Sequence, residues 1–376
     1  MKLLFIAPGA KPVSAETGGS VEISIYQIAK RLAKKYQVTV LCRSSPKLPK
    51  RSREGKLTIV RIPAQGNYLS NVIRYVKKNK FDCIQIDNRP NYIPELRKTL
   101  PETPLILSLH SLTFMDRLEE SQQEEILQLA SAVVCNSQFI THYYQQRFPQ
   151  HRNKLTCIYL GVDLDQFRPP QPLRKHKERA RHQVENTYNI LYVGRVIPMK
   201  GIHILIAAAE IVQRMHENTR LVIVGECTPS YRKELEKEAE EKGVRLTFIR
   251  NMSPKFVHRA YWLGDCLVCP TQFQEAFGLV NVEAMACELP VIASNRGGIP
   301  EIIHSENGIL INEADSPRRF AHAIDLLISS PAFRDELVDR ASITVRLAFS
   351  WDKTAHHYKL LYKQLLPPEP EPAVIA

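Results

Sequence analysis

Short apolar runs alternate with longer helical patterns along this chain, twice over, and no other feature narrows its fold as far. Strands are expected at residues 3–6, 38–41, 57–62, 83–86, 105–109 and 133–135. A helical face marked by Val21, Ile25, Ile28 and Leu32 follows the first of them. A second series runs through 189–193, 221–224, 246–249, 266–269 and 291–293. Such a pattern predicts an α/β protein of two Rossmann-like, doubly wound domains facing across a ligand cleft. At 376 residues the chain exceeds one ordinary core. The expected division is 1–168, a linker at 169–186 and a second domain at 187–350. The linker is read from Pro169-Pro170-Gln171-Pro172 and the charged run Arg174-Lys175-His176-Lys177-Glu178-Arg179-Ala180-Arg181. Residues 367–376, rich in Pro and Glu, are expected to be a disordered tail.

Chemistry concentrates in Gln274-Glu275-Ala276-Phe277-Gly278-Leu279-Val280-Asn281-Val282-Glu283-Ala284-Met285-Ala286. Two carboxylates stand eight residues apart around Phe277-Gly278, where a small-residue helix begins. Glu275 then lies in a loop and Glu283 about a turn and a half into the helix. Free backbone N–H groups near Phe277, Gly278 and Leu279 make an anion-binding helix start. Carboxylates for hydroxyls beside amides for phosphate describe the needs of a sugar nucleotide. Arg195 and Lys200 follow the first strand of the second domain, where both cations reach the ligand end of the sheet. Gly18-Gly19, just before the first long helix, lets backbone approach a phosphate. There is neither a Walker loop nor a Gly-x-Gly-x-x-Gly fingerprint, which argues against an ATPase or an ordinary dehydrogenase. His110 closes a strand and faces the ligand end. Asn136-Ser137 and Asn88-Arg89 occupy similar strand ends.

Glu275-x7-Glu283, followed by Pro290-Val291-Ile292-Ala293-Ser294-Asn295-Arg296-Gly297-Gly298-Ile299-Pro300-Glu301-Ile302-Ile303, resembles glycosyltransferase family 4. Gly194-Arg195 with Lys200-Gly201 matches that family's diphosphate-binding segment. Asn88-Arg89-Pro90-Asn91-Tyr92-Ile93-Pro94 is similar to spore-coat-associated members. The resemblance runs from residue 1 to about 366 and implies the GT-B fold, with the helix at 351–366 crossing back onto the first domain. It also implies a retaining, metal-independent transfer of a sugar, expected to be UDP-linked, to an acceptor hydroxyl. Within that reading Arg195, Lys200 and the amides near Gly278 stabilise the leaving diphosphate. Glu283 holds the ribose, Glu275 grips sugar hydroxyls, and His110 contacts the donor sugar or organises the reaction centre. The product is expected in cell-surface polysaccharide or spore-coat glycan. A sugar-nucleotide epimerase and a non-catalytic coat or binding protein stay open as alternatives.

Two tempting motifs are set aside. Asp163-Leu164-Asp165 has the form of a cation-binding Asp-x-Asp, but sits in a turn, and no His/Asp cluster with metal spacing occurs elsewhere; no metal is expected. Cys266-Leu267-Val268-Cys269 has knuckle spacing, but within a strand residues three apart face opposite ways. Charge is lopsided: residues 1–182 hold 30 Lys+Arg against 15 Asp+Glu, and the rest 21 against 24. The basic half, including Lys30, Arg31, Lys34 and Lys35, fits an anionic acceptor, be it glycan, lipid or protein, or a peripheral membrane or coat surface. No nucleic-acid module accompanies it. No apolar stretch reaches the ~20 residues of a membrane span, and the expected location is cytoplasmic, at the membrane periphery or in the spore coat.

Overall fold

A computed structural model describes residues 1–64, 66–250 and 252–366; the expected tail at 367–376 lies outside the described residues. The chain divides into two compact units. The first comprises Met1–Tyr159 with the C-terminal helix Trp351–Leu365, and the second Leu160–Ser350.

The first unit carries eight strands: β1 (Lys2–Ile6), β2 (Gln37–Arg43), β3 (Arg51–Glu54), β4 (Leu57–Ile62), β5 (Cys83–Asp87), β6 (Leu105–Leu109), β7 (Ala132–Cys135) and β8 (Leu155–Cys157). Their order is β3-β4-β2-β1-β5-β6-β7-β8, and every pair is parallel except β3 with β4. The order reverses between β1 and β5, which puts a ligand-accepting crevice at the carboxyl ends of those strands. Strands β5, β6 and β7 are buried along their whole length, as parallel strands covered on both faces must be. The helix Ser20–Leu32 leaves Lys30 and Arg31 in its last turn, where cations oppose the helix dipole. Beside it lies Trp351–Leu365, whose Asp352 receives Arg31 at 3.2 Å and Lys34 at 3.6 Å. Two members of the basic cluster therefore pair with the C-terminal helix across the surface.

The second unit builds β9 (Tyr188–Val193), β10 (Thr219–Gly225), β11 (Leu246–Arg250), β12 (Cys266–Cys269), β13 (Val291–Ser294) and β14 (Ile309–Ile311), all parallel, in the order β11-β10-β9-β12-β13-β14. Its reversal falls between β9 and β12. The core joins β9, β10 and β12 to the helices Ile202–Met215 and Pro317–Ser329 through Ile190, Ile206, Val268, Phe320 and Ile324.

The two-sheet α/β architecture is the one the alternation implies. Three strands went unread: β8 and β14 have three residues each, and β3, Arg-Ser-Arg-Glu, has no apolar side chain. The segment 169–186 is a correction. It contains the helix Pro172–Arg181, and the chain enters the second unit ahead of it, at Leu160. Proline in the first helical turn lacks only a donor that the helix does not use. Arg179 then docks the helix, donating to the carbonyls of Trp262 (3.3 Å) and Gly264 (2.7 Å) and to Asp265 (2.7 Å).

This docking generates a prediction. Arg179→Ala lowers the stability of the second unit by about 2–4 kcal/mol, since it strips hydrogen bonds from two carbonyls and a half-buried carboxylate. Leu173→Ala, on the exposed side of the same helix, changes it by less than about 0.5 kcal/mol. Urea unfolding of both variants measures the contrast; equal effects would mean that the segment only links.

Candidate active site

In the second unit the loops that leave β9 and β12 at the sheet's reversal are tied together. Gly194, at φ 149°, turns the chain out of β9. The buried Tyr192 hydroxyl closes that turn by donating to the Arg195 carbonyl at 2.7 Å. The Arg195 side chain is exposed and has no acidic partner among the described residues. A short turn, Pro198–Lys200, ends in Gly201 at φ 72°, where an added Cβ would lie 2.1 Å from the Pro270 carbonyl oxygen. Only glycine lets the two loops approach so closely. The Gln272 N–H donates to the Met199 carbonyl at 2.9 Å. The Lys200 ammonium pairs with the Glu275 carboxylate and stands 4.9 Å from the Phe273 ring centroid. Both members of the pair are mostly shielded, their side chains 14% and 17% exposed.

The Glu275 backbone is equally fixed. Its carbonyl accepts from the Gly298 N–H at 2.8 Å, and a Cβ on Gly297 would fall 2.1 Å from the same oxygen. Helix Leu279–Ala286 starts from Gly278 at φ 92°. The amides of Gly278, Leu279 and Val280 find no acceptor among the described residues, as the first turn of a helix requires. The Phe277 ring is buried, edge-on to Phe349 with centroids 5.8 Å apart, so its contribution at the helix start is backbone. Glu283 accepts a hydrogen bond from the buried Tyr261 hydroxyl. Burial pushes the Glu283 carboxyl up to about 7, and the Tyr261 bond opposes that rise. Glu275, Lys200, Arg195 and the open helix start thus share one end of one sheet. Tyr261 was missed: it precedes β12 in an apolar stretch, and only tertiary packing shows its partner.

In the first unit His110 follows β6, and its Nε2 lies 3.1 Å from Oδ1 of the fully buried Asp87, the last residue of β5. Gln85 Nε2 donates to both Asp87 oxygens, at 3.1 and 3.3 Å. Ser108 Oγ lies 3.4 Å from His110 Nε2 and 3.2 Å from the Tyr358 hydroxyl. The pairing with Asp87 favours a proton on Nε2 and leaves Nδ1 as an acceptor. The His110 N–H donates to Asn88 Oδ1 at 3.2 Å, and Asn136 Nδ2 donates to the His110 carbonyl at 3.5 Å. Ser137 Oγ accepts from the Ile140 N–H at 3.3 Å and so caps the helix Gln138–Arg147. Asp87 was the other omission, though a carboxylate ending a buried parallel strand is a legible signal.

Gly18 and Gly19 precede the first long helix, and there the Gly19 N–H already donates to Glu22 Oε2 at 3.0 Å. Glu22 is buried, so a phosphate at this amide must first displace a carboxylate. In the Asp163–Asp165 turn the Asp165 N–H donates to Asp163 Oδ1 at 3.2 Å and the Phe167 N–H to the Asp163 carbonyl at 2.8 Å. Among the described residues no group of three His, Cys, Asp or Glu side chains is placed to hold a metal ion. Cys266 and Cys269 are buried and free within β12. Among the described residues no helix is long and apolar enough to cross a membrane.

Residues 174–343 match the family described as glycosyl transferases group 1, and residues 17–166 match glycosyltransferase family 4. Spore coat protein SA of Bacillus subtilis is 31% identical, over 97% of this chain and all of that one. Among solved structures, sucrose-phosphate synthase of Thermosynechococcus elongatus superposes with a TM-score of 0.78 at 24% identity, covering 97% of this chain and 99% of that one. Anabaena HepE, solved in complex with UDP-glucose, superposes with a TM-score of 0.78 at 21% identity, covering 97% and 100%. At those identities the two structures establish the fold alone.

The Glu283 environment yields a pH-dependent prediction. The folded protein holds this carboxyl's proton more tightly than the unfolded chain, whose carboxyl titrates near 4.5. Ionising it therefore costs stability above pH 7, and the cost fades as pH falls from 7 towards 4.5; its upper limit is about 3 kcal/mol. Glu283→Gln keeps an acceptor for Tyr261 without the charge. That variant should melt above the parent at pH 8 and level with it at pH 5. A difference independent of pH, in melts followed by circular dichroism, would contradict the assignment.

Proposed function

This chain belongs to the glycosyltransferases of family 4, enzymes of the GT-B fold, and we propose that it moves a sugar from a UDP-sugar to an acceptor hydroxyl, with retention of anomeric configuration and without metal. The observation that carries the reading is the second unit's paired Lys200 and Glu275 beside an unsatisfied helix start. One place there offers cations and amides to a diphosphate and carboxylates to hydroxyls.

In this proposal Arg195 and Lys200 neutralise the diphosphate, Arg195 by its planar fork and Lys200 as a compact charge. The amides of Gly278, Leu279 and Val280 donate to phosphate oxygens, and the helix dipole favours the negative charge that grows there. Glu275 accepts from donor-sugar hydroxyls and Glu283 from the ribose. As the bond between the anomeric carbon and phosphate oxygen breaks, its electron pair leaves with the phosphate. The acceptor oxygen bonds to the same face of that carbon, and its proton passes to a phosphate oxygen. In the first unit His110, held by Asp87, is assigned to bind a sugar hydroxyl. With the leaving group serving as base, no side chain is assigned as nucleophile.

Support for UDP comes from HepE, which was solved with UDP-glucose, and support for a coat or surface glycan from the relative named spore coat protein SA. The acceptor, a glycan, lipid or protein, is proposed to lie at the cell envelope or coat, and the enzyme to meet it peripherally.

The test is release of UDP by purified protein given candidate UDP-sugars and acceptors, with product analysis. Sugar that rearranges but stays on the nucleotide would mean an epimerase; no turnover with any donor would favour a binding protein. Arg195→Ala/Lys200→Ala should weaken UDP binding by about 2–5 kcal/mol, chiefly through the loss of the shielded Lys200 charge, since Arg195 is exposed. Unchanged affinity in calorimetry would remove both residues from the site. Turnover should also survive EDTA. A loss in EDTA that Mn²⁺ or Mg²⁺ restores would show that metal is required.

A further inference from the structure

We propose that Arg89 and Arg117 form an oxyanion-binding subsite on the first unit that holds a phosphate or carboxylate carried by the acceptor. The proposal rests on the transferase reading above and adds the residues that would grip the acceptor's oxyanion.

Both guanidinium groups share one aromatic ring. Arg89 Cζ stands 4.3 Å and Arg117 Cζ 5.7 Å from the ring centroid of Phe114, in the loop that follows β6. A guanidinium held over an aromatic face keeps its in-plane N–H groups available for a planar or tetrahedral oxyanion. Two cations gathered at one ring repel each other, and neither has an acidic partner among the described residues. The nearest carboxylate in sequence, Asp116, is already engaged. It accepts from Tyr143 at 3.1 Å and Tyr144 at 2.9 Å and lies 3.4 Å from Arg147. What the pair lacks is an anion.

The backbone holds Arg89 in place for one. Arg89 donates to the Asn88 carbonyl at 2.8 Å. Asn88 itself sits at φ 53°, a conformation that costs a non-glycine residue energy and that clusters at functional sites. Its side chain accepts the His110 N–H. Asn88 therefore couples the stacked arginine to the histidine assigned to the reaction centre, at the adjoining carboxyl ends of β5 and β6. An acceptor whose oxyanion is gripped by Arg89 and Arg117 presents its neighbouring hydroxyl groups towards His110. The excess of basic residues in this half of the chain draws the same class of ligand.

Binding of glucose, glucose 6-phosphate and glucuronate to the full chain, by calorimetry with and without UDP, tests the subsite. The two anionic sugars should bind and glucose should not, with affinity falling as salt rises. Arg89→Ala/Arg117→Ala should weaken anion binding at least about tenfold, with its circular dichroism melt unchanged. Arg89→Lys/Arg117→Lys, which keeps charge but not the fork, should fall between. The stronger of the two anions identifies the oxyanion preferred. Equal binding of glucose and the anions, no anion binding by the parent, or unchanged binding in the alanine variant would each overturn the subsite. The UDP titration separates the two readings: a parent chain that does not bind UDP defeats the transferase assignment, whatever the sugars do.

Discussion

The ion pair between Lys200 and Glu275 is the constraint around which the second unit is arranged. It joins loops from the two strands that flank the sheet's reversal, and each partner is shielded enough that leaving it alone would be costly. The close backbone approach that brings the partners together depends on glycine at 201 and 297, because a Cβ at either place would overlap a carbonyl oxygen. Without ligand the two charges satisfy each other. In the proposed reaction a diphosphate arriving at Lys200 would exchange one anionic partner for another, and a sugar hydroxyl arriving at Glu275 would take over part of what the lysine supplied. Since the side chains are positioned beforehand, little ordering would remain to be done if a ligand bound there.

The first unit solves the same problem by different means. Its reversal lies between β1 and β5, and the carboxylate that organises it, Asp87, belongs to β5 itself and is wholly buried. Gln85 satisfies its oxygens from two residues back on the same face of the strand. His110 is held from three sides: side chain by Asp87, backbone N–H by Asn88, carbonyl by Asn136. A ring restrained in this way offers one orientation and one free nitrogen, which suits it to recognising a hydroxyl group.

Much of this was legible in the amino-acid order, for physical reasons. Buried parallel strands must be apolar on both faces, so the long central ones announce themselves, whereas β3 at the sheet edge needs no apolar residue at all. Glu275, Lys200 and Arg195 could be found because each follows a readable strand, and parallel sheets collect such positions at one end. Contacts between distant segments left no local trace. Tyr261 reaches Glu283 across 22 residues, and the placement of Glu22 against Gly19 depends on how one helix begins. The helix Pro172–Arg181 was hidden for another reason: prolines and charges that mark a linker in isolation also suit a helix start and a docked arginine.

The return of Trp351–Leu365 to the first unit has a consequence for biosynthesis. Trp351, Tyr358 and Tyr362 are buried there, and the two tyrosine hydroxyls reach Ser108 and Gln85, the residues that flank and brace Asp87. On the ribosome the first 159 residues emerge long before these aromatic side chains exist, so the nascent segment waits with an uncovered sheet face. The second unit, whose residues are contiguous from Leu160 to Ser350, can close its core first. The first unit's packing beneath the histidine therefore waits for a helix translated after the whole of the second unit.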